Sequence, residues 1–146
     1  MNSVEPDLKL AGFSLWVLGH QFPAATDYWD GNWLNVRARV EAPGATVEAR
    51  GAFLSAPELA SFAEQLESLN AALVGEAGLR CLEPNLKIAI RCGSLGHVAV
   101  EIMLTPNHMT QSHEFKFDLD QSYLGPLLDR CRSVLLRWPV RSETSG

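Results

Sequence analysis

Little in this chain of 146 residues invites chemistry. Its three cysteines, Cys81, Cys92 and Cys131, are odd in number, far apart and free of any Cys-x-x-Cys spacing. That excludes a disulfide framework and gives no zinc pattern. Each falls on a predicted apolar face, where a free thiol behaves as a small buried hydrophobe, and a reducing, cytoplasmic setting fits. No apolar run approaches the roughly 18 residues of a membrane span. Residues 1–7 lack the positive and then apolar regions of a signal peptide. Positive charge is scarce too: 12 Lys and Arg stand against 17 Asp and Glu, a net charge of −5. This argues against a phosphate-backbone binder, since nucleic-acid modules carry a basic excess. It suits either a basic partner or plain solubility. Glycine-rich phosphate and dinucleotide fingerprints, Gly-x-Ser-x-Gly and His-Glu-x-x-His are all missing. Ser, His and Asp occur in almost any chain this long and define no triad. The expectation is neither catalytic residues nor a cofactor, with a partner-binding protein and a small-ligand-binding or housekeeping domain both left open.

What the chain does contain is a fold. With 47% hydrophobic and 20% charged residues, it has the composition of an ordinary globular protein. It reads as one domain, 1–146, with 1–6 and 141–146 as loose tails. Period-two alternation marks strands with one buried face. Leu34, Val36, Ala38 and Val40 oppose Asn35, Arg37, Arg39 and Glu41; Val47, Ala49 and Phe53 oppose Glu48 and Arg50. Gly51 interrupts the inner row there, as at a bulge or a close approach. Leu86–Cys92, Val98–Leu104 and Phe115–Leu119 alternate in the same way, and Gly93–Gly96 reads as a hairpin loop. Leu79–Leu82 is a weaker sixth strand. Leu8–Leu18 is a seventh whose phase slips near Gly12.

Two segments change period to 3.6. Ser55 and Glu58 form a Ser-x-x-Glu capping box. It is followed by a stripe of Leu59, Phe62, Leu66, Leu69 and Leu73 and a stop at Gly75. The second stripe runs Leu124, Leu127, Leu128, Cys131, Val134, Leu135 and Trp138 before Pro139. Pro126 belongs in its first turn, so that helix starts near Gly125, after a tighter turn from Asp120. Clean alternation implies sheets with one wet face. The expected architecture is α+β: a single antiparallel sheet of about six or seven strands, with both amphipathic helices on its apolar face.

The candidate site is the stretch Phe22–Leu34. It holds two of the four tryptophans, Trp29 and Trp33, and one of the two tyrosines, Tyr28, among turn-forming residues. Pro23, Asp30-Gly31 and Asn32 demand a turn. Asp27 and Asp30 accept backbone amides in such turns; the rival reading is a carboxylate pair for acid–base work. Tyr28 and Trp33 are candidate interface anchors, with Trp33 out of phase with Leu34. The alternative is that the rings fold back over the core, the favoured expectation for Trp29. On the outer sheet face, Arg37, Arg39, Arg50, Lys87, Arg91 and Lys116 pair with Glu48, Glu101 and Glu114 across strands, or the four arginines read an acidic partner. His97, His108 and His113, with Asp118 or Asp120, match no zinc spacing and read as surface and loop residues. The expected partner-binding set is Asp27, Tyr28, Trp29, Asp30, Asn32, Trp33, Arg37 and Arg39.

The run Trp16–Pro23, then Asp27-Tyr28-Trp29-Asp30-Gly31-Asn32-Trp33-Leu34 leading into Val36–Val40, resembles the opening of a family of small bacterial proteins. Phe117–Leu128 and Arg137-Trp138-Pro139-Val140 are similar to that family's closing segments. The family is the WapI-like immunity proteins. In this sequence His20 replaces a tyrosine of the family's pattern, Gly31 an alanine and Gly125 a proline, at positions a partner could sense. The resemblance implies a non-enzymatic protein that binds a protein partner, a cognate toxin domain, and it supplies no catalytic residue. It implies neither nucleic acid nor membrane as partner.

Overall fold

A computed structural model describes residues 4–142. Eight strands and two helices follow one another as β1 (Leu8–Leu10), β2 (Phe13–His20), β3 (Trp33–Ala42), β4 (Ala45–Ser55), α1 (Ala56–Ala72), β5 (Gly75–Arg80), β6 (Leu86–Cys92), β7 (His97–Leu104), β8 (Glu114–Asp120) and α2 (Leu124–Arg137). The strands form two four-stranded antiparallel sheets, β1-β2-β3-β4 and β5-β6-β7-β8, and this corrects the single sheet expected above. Every paired neighbour is the next strand in the chain, and α1 separates the two runs. Each apolar sheet face can then be covered by the other, with β7 approaching β3 and β4. Alternation says which face of a strand is buried. It does not say which sheet the strand joins.

Helix α1 packs on β5, α2 packs on β1, and the helices pack on each other, so together they wall the side where those edge strands lie. Polar side chains of α1 also satisfy the exposed backbone edge of this region. Gln65 Oε1 accepts from Gly78 N–H at 2.9 Å, and Glu58 Oε2 accepts from Leu82 N–H at 2.6 Å. Such capping blunts an edge that would otherwise template pairing. One core joins both sheets and both helices. Leu66 and Leu128 lie inside it at 0% and 4% exposure.

Local chemistry explains the boundaries. The capping box forms as expected: Ser55 Oγ accepts from Glu58 N–H, and Glu58 Oε1 accepts from Ser55 N–H. The helix ends before Gly75, at Leu73, which adopts a left-handed φ of 59° and turns outward instead of extending the stripe. Helix α2 follows a short 3-10 turn, Gln121–Tyr123, capped by the Asp120 carboxylate. Those bonds from Ser122 hold the Asp120 carboxyl below its usual range. The phase slip near Gly12 is a two-residue hairpin, since Leu10 pairs with Phe13. A Cβ on Gly12 would stand 2.0 Å from the Glu41 carbonyl oxygen, and the Gly12 carbonyl accepts from Glu41 N–H. At Gly51 the β3–β4 register shifts, which is the expected bulge. The weak strand at Leu79–Leu82 is displaced: β5 ends at Arg80.

The N-terminal end is tied to this body as far as it is described. Trp16 Nε1 donates to the Val4 carbonyl, and Arg130 reaches the Pro6 carbonyl and the Glu5 carboxylate. The tail expectation for residues 1–3 and 143–146 lies outside the described residues.

Candidate partner-binding site

The loop between β2 and β3 is built on short-range turns. Phe22 C=O accepts from Ala25 N–H, Asp27 C=O from Gly31 N–H, and Asp27 Oδ2 from Asp30 N–H. At Gly31 a Cβ would lie 2.4 Å from the Asp27 carbonyl oxygen and 2.7 Å from that of Ala25, so an alanine there needs a shifted turn. The base of the loop is closed by Gln21 N–H donating to the Trp33 carbonyl at 2.9 Å. Asp27 therefore works as a turn former, while Asp30 remains exposed at the tip.

Asn32 is the anchor. It is 2% exposed, and its amide is fully used. Nδ2 donates to the carbonyls of Tyr28 and Arg141 at 2.8 and 2.9 Å, and Oδ1 accepts from Arg141 N–H at 2.7 Å. The Arg141 guanidinium reaches under the loop to the carbonyls of Pro23 and Ala25, and to His20 Nδ1 at 3.1 Å. A guanidinium has only donors, so His20 accepts through an unprotonated Nδ1. Burial, with the Arg141 charge second, holds the His20 pKa below its ordinary value. The ring stands edge-on to Trp138 at 4.9 Å. Strand β2, the loop and the segment after α2 thus form one latch. Arg141 and Trp138 were not singled out as site residues, and His20 only as a departure from the family's pattern; no local periodicity links residues more than a hundred positions apart.

The latch holds two aromatic rings in water. Trp29 is 77% exposed and Tyr28 44%, packed edge-to-face with centroids 5.2 Å apart. Trp29 does not fold over the core, contrary to expectation: the turn set by Asp27 and Gly31 carries it outward. Trp33 is half-buried on the outer face of β3, with Asn35, Arg37 and Arg39. The structure brings Asp27, Tyr28, Trp29, Asp30 and Asn32 together. Arg37 lies about 13 Å further along β3 at the usual strand rise. It is engaged by Glu48 at 2.8 Å and stacked over Trp16 at 4.5 Å. Arg39 pairs with Glu41, Arg50 with Glu48, and Arg91 with Glu76. The outer-face arginines are therefore divided between two sheets and matched to glutamates.

The histidines do not converge. His97 meets Asp118 at 3.3 Å and His113 meets Gln111. Among the described residues no group of three or more His, Cys, Asp or Glu is placed to hold a metal. Burial raises the pKa of Cys92, and that of Cys131 to about 12; burial and then Glu58 raise that of Cys81. No described helix is long and apolar enough to cross a membrane.

Residues 7–139 match the family described as "Immunity protein WapI-like family". No curated protein and no solved structure matches the chain.

Proposed function

Because the chain belongs to the WapI-like immunity protein family, we propose that it is a non-enzymatic protein that neutralises a bacterial toxin by seating the Tyr28–Trp29 loop on the toxin domain. One observation carries this reading: two large rings are held out in water by a loop whose base is buried and fully hydrogen-bonded. Exposed Trp and Tyr bury much area on binding, and a fixed loop loses little entropy in doing so. The net charge of −5 favours encounter with a basic toxin surface. The reading places the protein in the bacterial cytoplasm, where its thiols stay reduced, with neither nucleic acid nor membrane as partner.

A second reading, a small-ligand domain closed by the aromatic loop, has one observation in its favour. Tyr28 lines a hollow of about 590 Å³ beside Glu58, Ser61 and Arg80. The deciding experiment mixes the protein with a toxin domain sought in the neighbouring reading frames. Binding by calorimetry and loss of toxin activity at equimolar protein are expected. Unimpaired toxin activity with no heat of binding would reject the proposal.

A further inference from the structure

Arg80 differs from every other arginine among the described residues. Arg37, Arg39, Arg50, Arg91, Arg130, Arg132 and Arg137 each hold a carboxylate, and Arg141 holds the loop. Among the described residues Arg80 has no such partner, and the residue directly opposite it in the β5–β6 register is Lys87, which is also exposed and likewise without an ion pair among them. Like charges placed directly across two strands destabilise a sheet, so the pair costs the free protein stability that a Glu at either position would return.

Its setting is concave. Arg80 lines the hollow that Tyr28 enters and also a second one of about 230 Å³ on the outer face of the second sheet, where Lys87 joins it. Gln65 and Gly78 line both. The floor is low because Gly78, Ala89 and Ala99 carry little side chain. Two nearby carboxylates are committed: Glu58 accepts from two backbone amides, and Glu76 holds Arg91. Glu101 also lines the smaller hollow, opposite Lys116 in the β7–β8 register and without an ion pair among the described residues.

We propose that Arg80 and Lys87 form an anion-receiving end of the docking surface. They take a carboxylate from an acidic segment of the partner protein, while Tyr28, which lines the larger of the two hollows that share Arg80, packs against the same segment. The partner would then offer an acidic anchor within a surface that is basic overall. This deepens the toxin-binding reading and rests on it for the partner's identity, though not for the anion chemistry.

The test uses the isotopically labelled full chain and a blocked Asp/Glu hexapeptide, its Asn/Gln counterpart and acetate. Exposed ion pairs are weak, so saturation is expected in the millimolar range. Shifts should be confined to the Arg80 side chain, Lys87, Gly78 and Tyr28, absent with the neutral peptide and lost in Arg80→Gln. Shifts spread over all cationic residues, or equal shifts with the neutral peptide, would overturn the site. Equal affinity for acetate, or self-association giving the same shifts, would overturn a protein segment as its occupant. Lys87→Glu, which gives Arg80 an internal partner, should raise the melting temperature, abolish the peptide response and weaken the toxin complex about tenfold or more. Unchanged toxin affinity would defeat the proposal. If Trp29→Ala leaves toxin binding intact while the peptide response persists, the loop reading fails and the anion site stands.

Discussion

Replacing Asn32 by alanine removes a side chain that joins two distant segments through three hydrogen bonds of 2.7–2.9 Å. The residue is 2% exposed, so the abandoned groups, Tyr28 C=O and the Arg141 N–H and C=O, regain water only if the loop moves. At about 0.5–1.5 kcal/mol net for each bond, the loss is about 2–4 kcal/mol. For a domain of this size that lowers the melting temperature by roughly 6–15 °C. Arg141→Ala keeps the backbone pairing to Asn32 but removes the guanidinium from Pro23, Ala25 and His20, at about 1–2 kcal/mol. The two sites share one network, so the double variant should lose less than the sum. Urea unfolding gives these energies. Amide exchange at Gly31 and Ala25 reports the loop itself and should accelerate in both variants. An Asn32→Ala protein within about 0.5 kcal/mol of the parent, with unchanged exchange at Gly31, would refute the latch.

Leu66→Ala, in the centre of α1 and fully buried, should destabilise by about 2–5 kcal/mol in chemical denaturation. Gly12→Ala must displace the Glu41 carbonyl and should cost about 1–3 kcal/mol by the same measurement. The His20 pKa is lower in the folded chain than in the unfolded one. Below about pH 6.5 the unfolded state therefore binds more protons. Its contribution to stability is complete above that pH and is lost as pH falls towards and through the folded value. Denaturant midpoints from pH 5 to 8 should show that slope in the parent and a smaller one in His20→Gln.

The helices were readable because their evidence is local. Ser55 and Glu58 sit one turn apart, and the stripes of Leu59, Phe62 and Leu66 and of Leu124, Leu128 and Cys131 repeat at 3.6 residues. Strand alternation was equally local, so Leu34 and Ile88 were placed facing inward correctly. Sheet membership was not: the face pattern is the same whether β4 neighbours β5 or α1 intervenes. The loop was conspicuous as aromatics among turn residues. Its outward display of Trp29 depended on how Asp27 and Gly31 close the turn, and its rigidity on Arg141, separated from Asn32 by 109 positions. Pairing by distance decided the arginines as well. Glu48 reaches Arg37 diagonally across the β3–β4 hairpin, whose register sets Glu48 opposite Arg39 and Arg37 opposite Arg50.

The most direct test of the proposed toxin binding through the loop is a Tyr28→Ala, Trp29→Ala protein measured for both melting temperature and affinity for a toxin domain sought in the neighbouring reading frames. Both rings are exposed, so thermal stability should stay within about 0.5 kcal/mol of the parent, while affinity falls by at least about 2 kcal/mol, roughly 30-fold. Parental affinity in a well-folded variant would contradict the account.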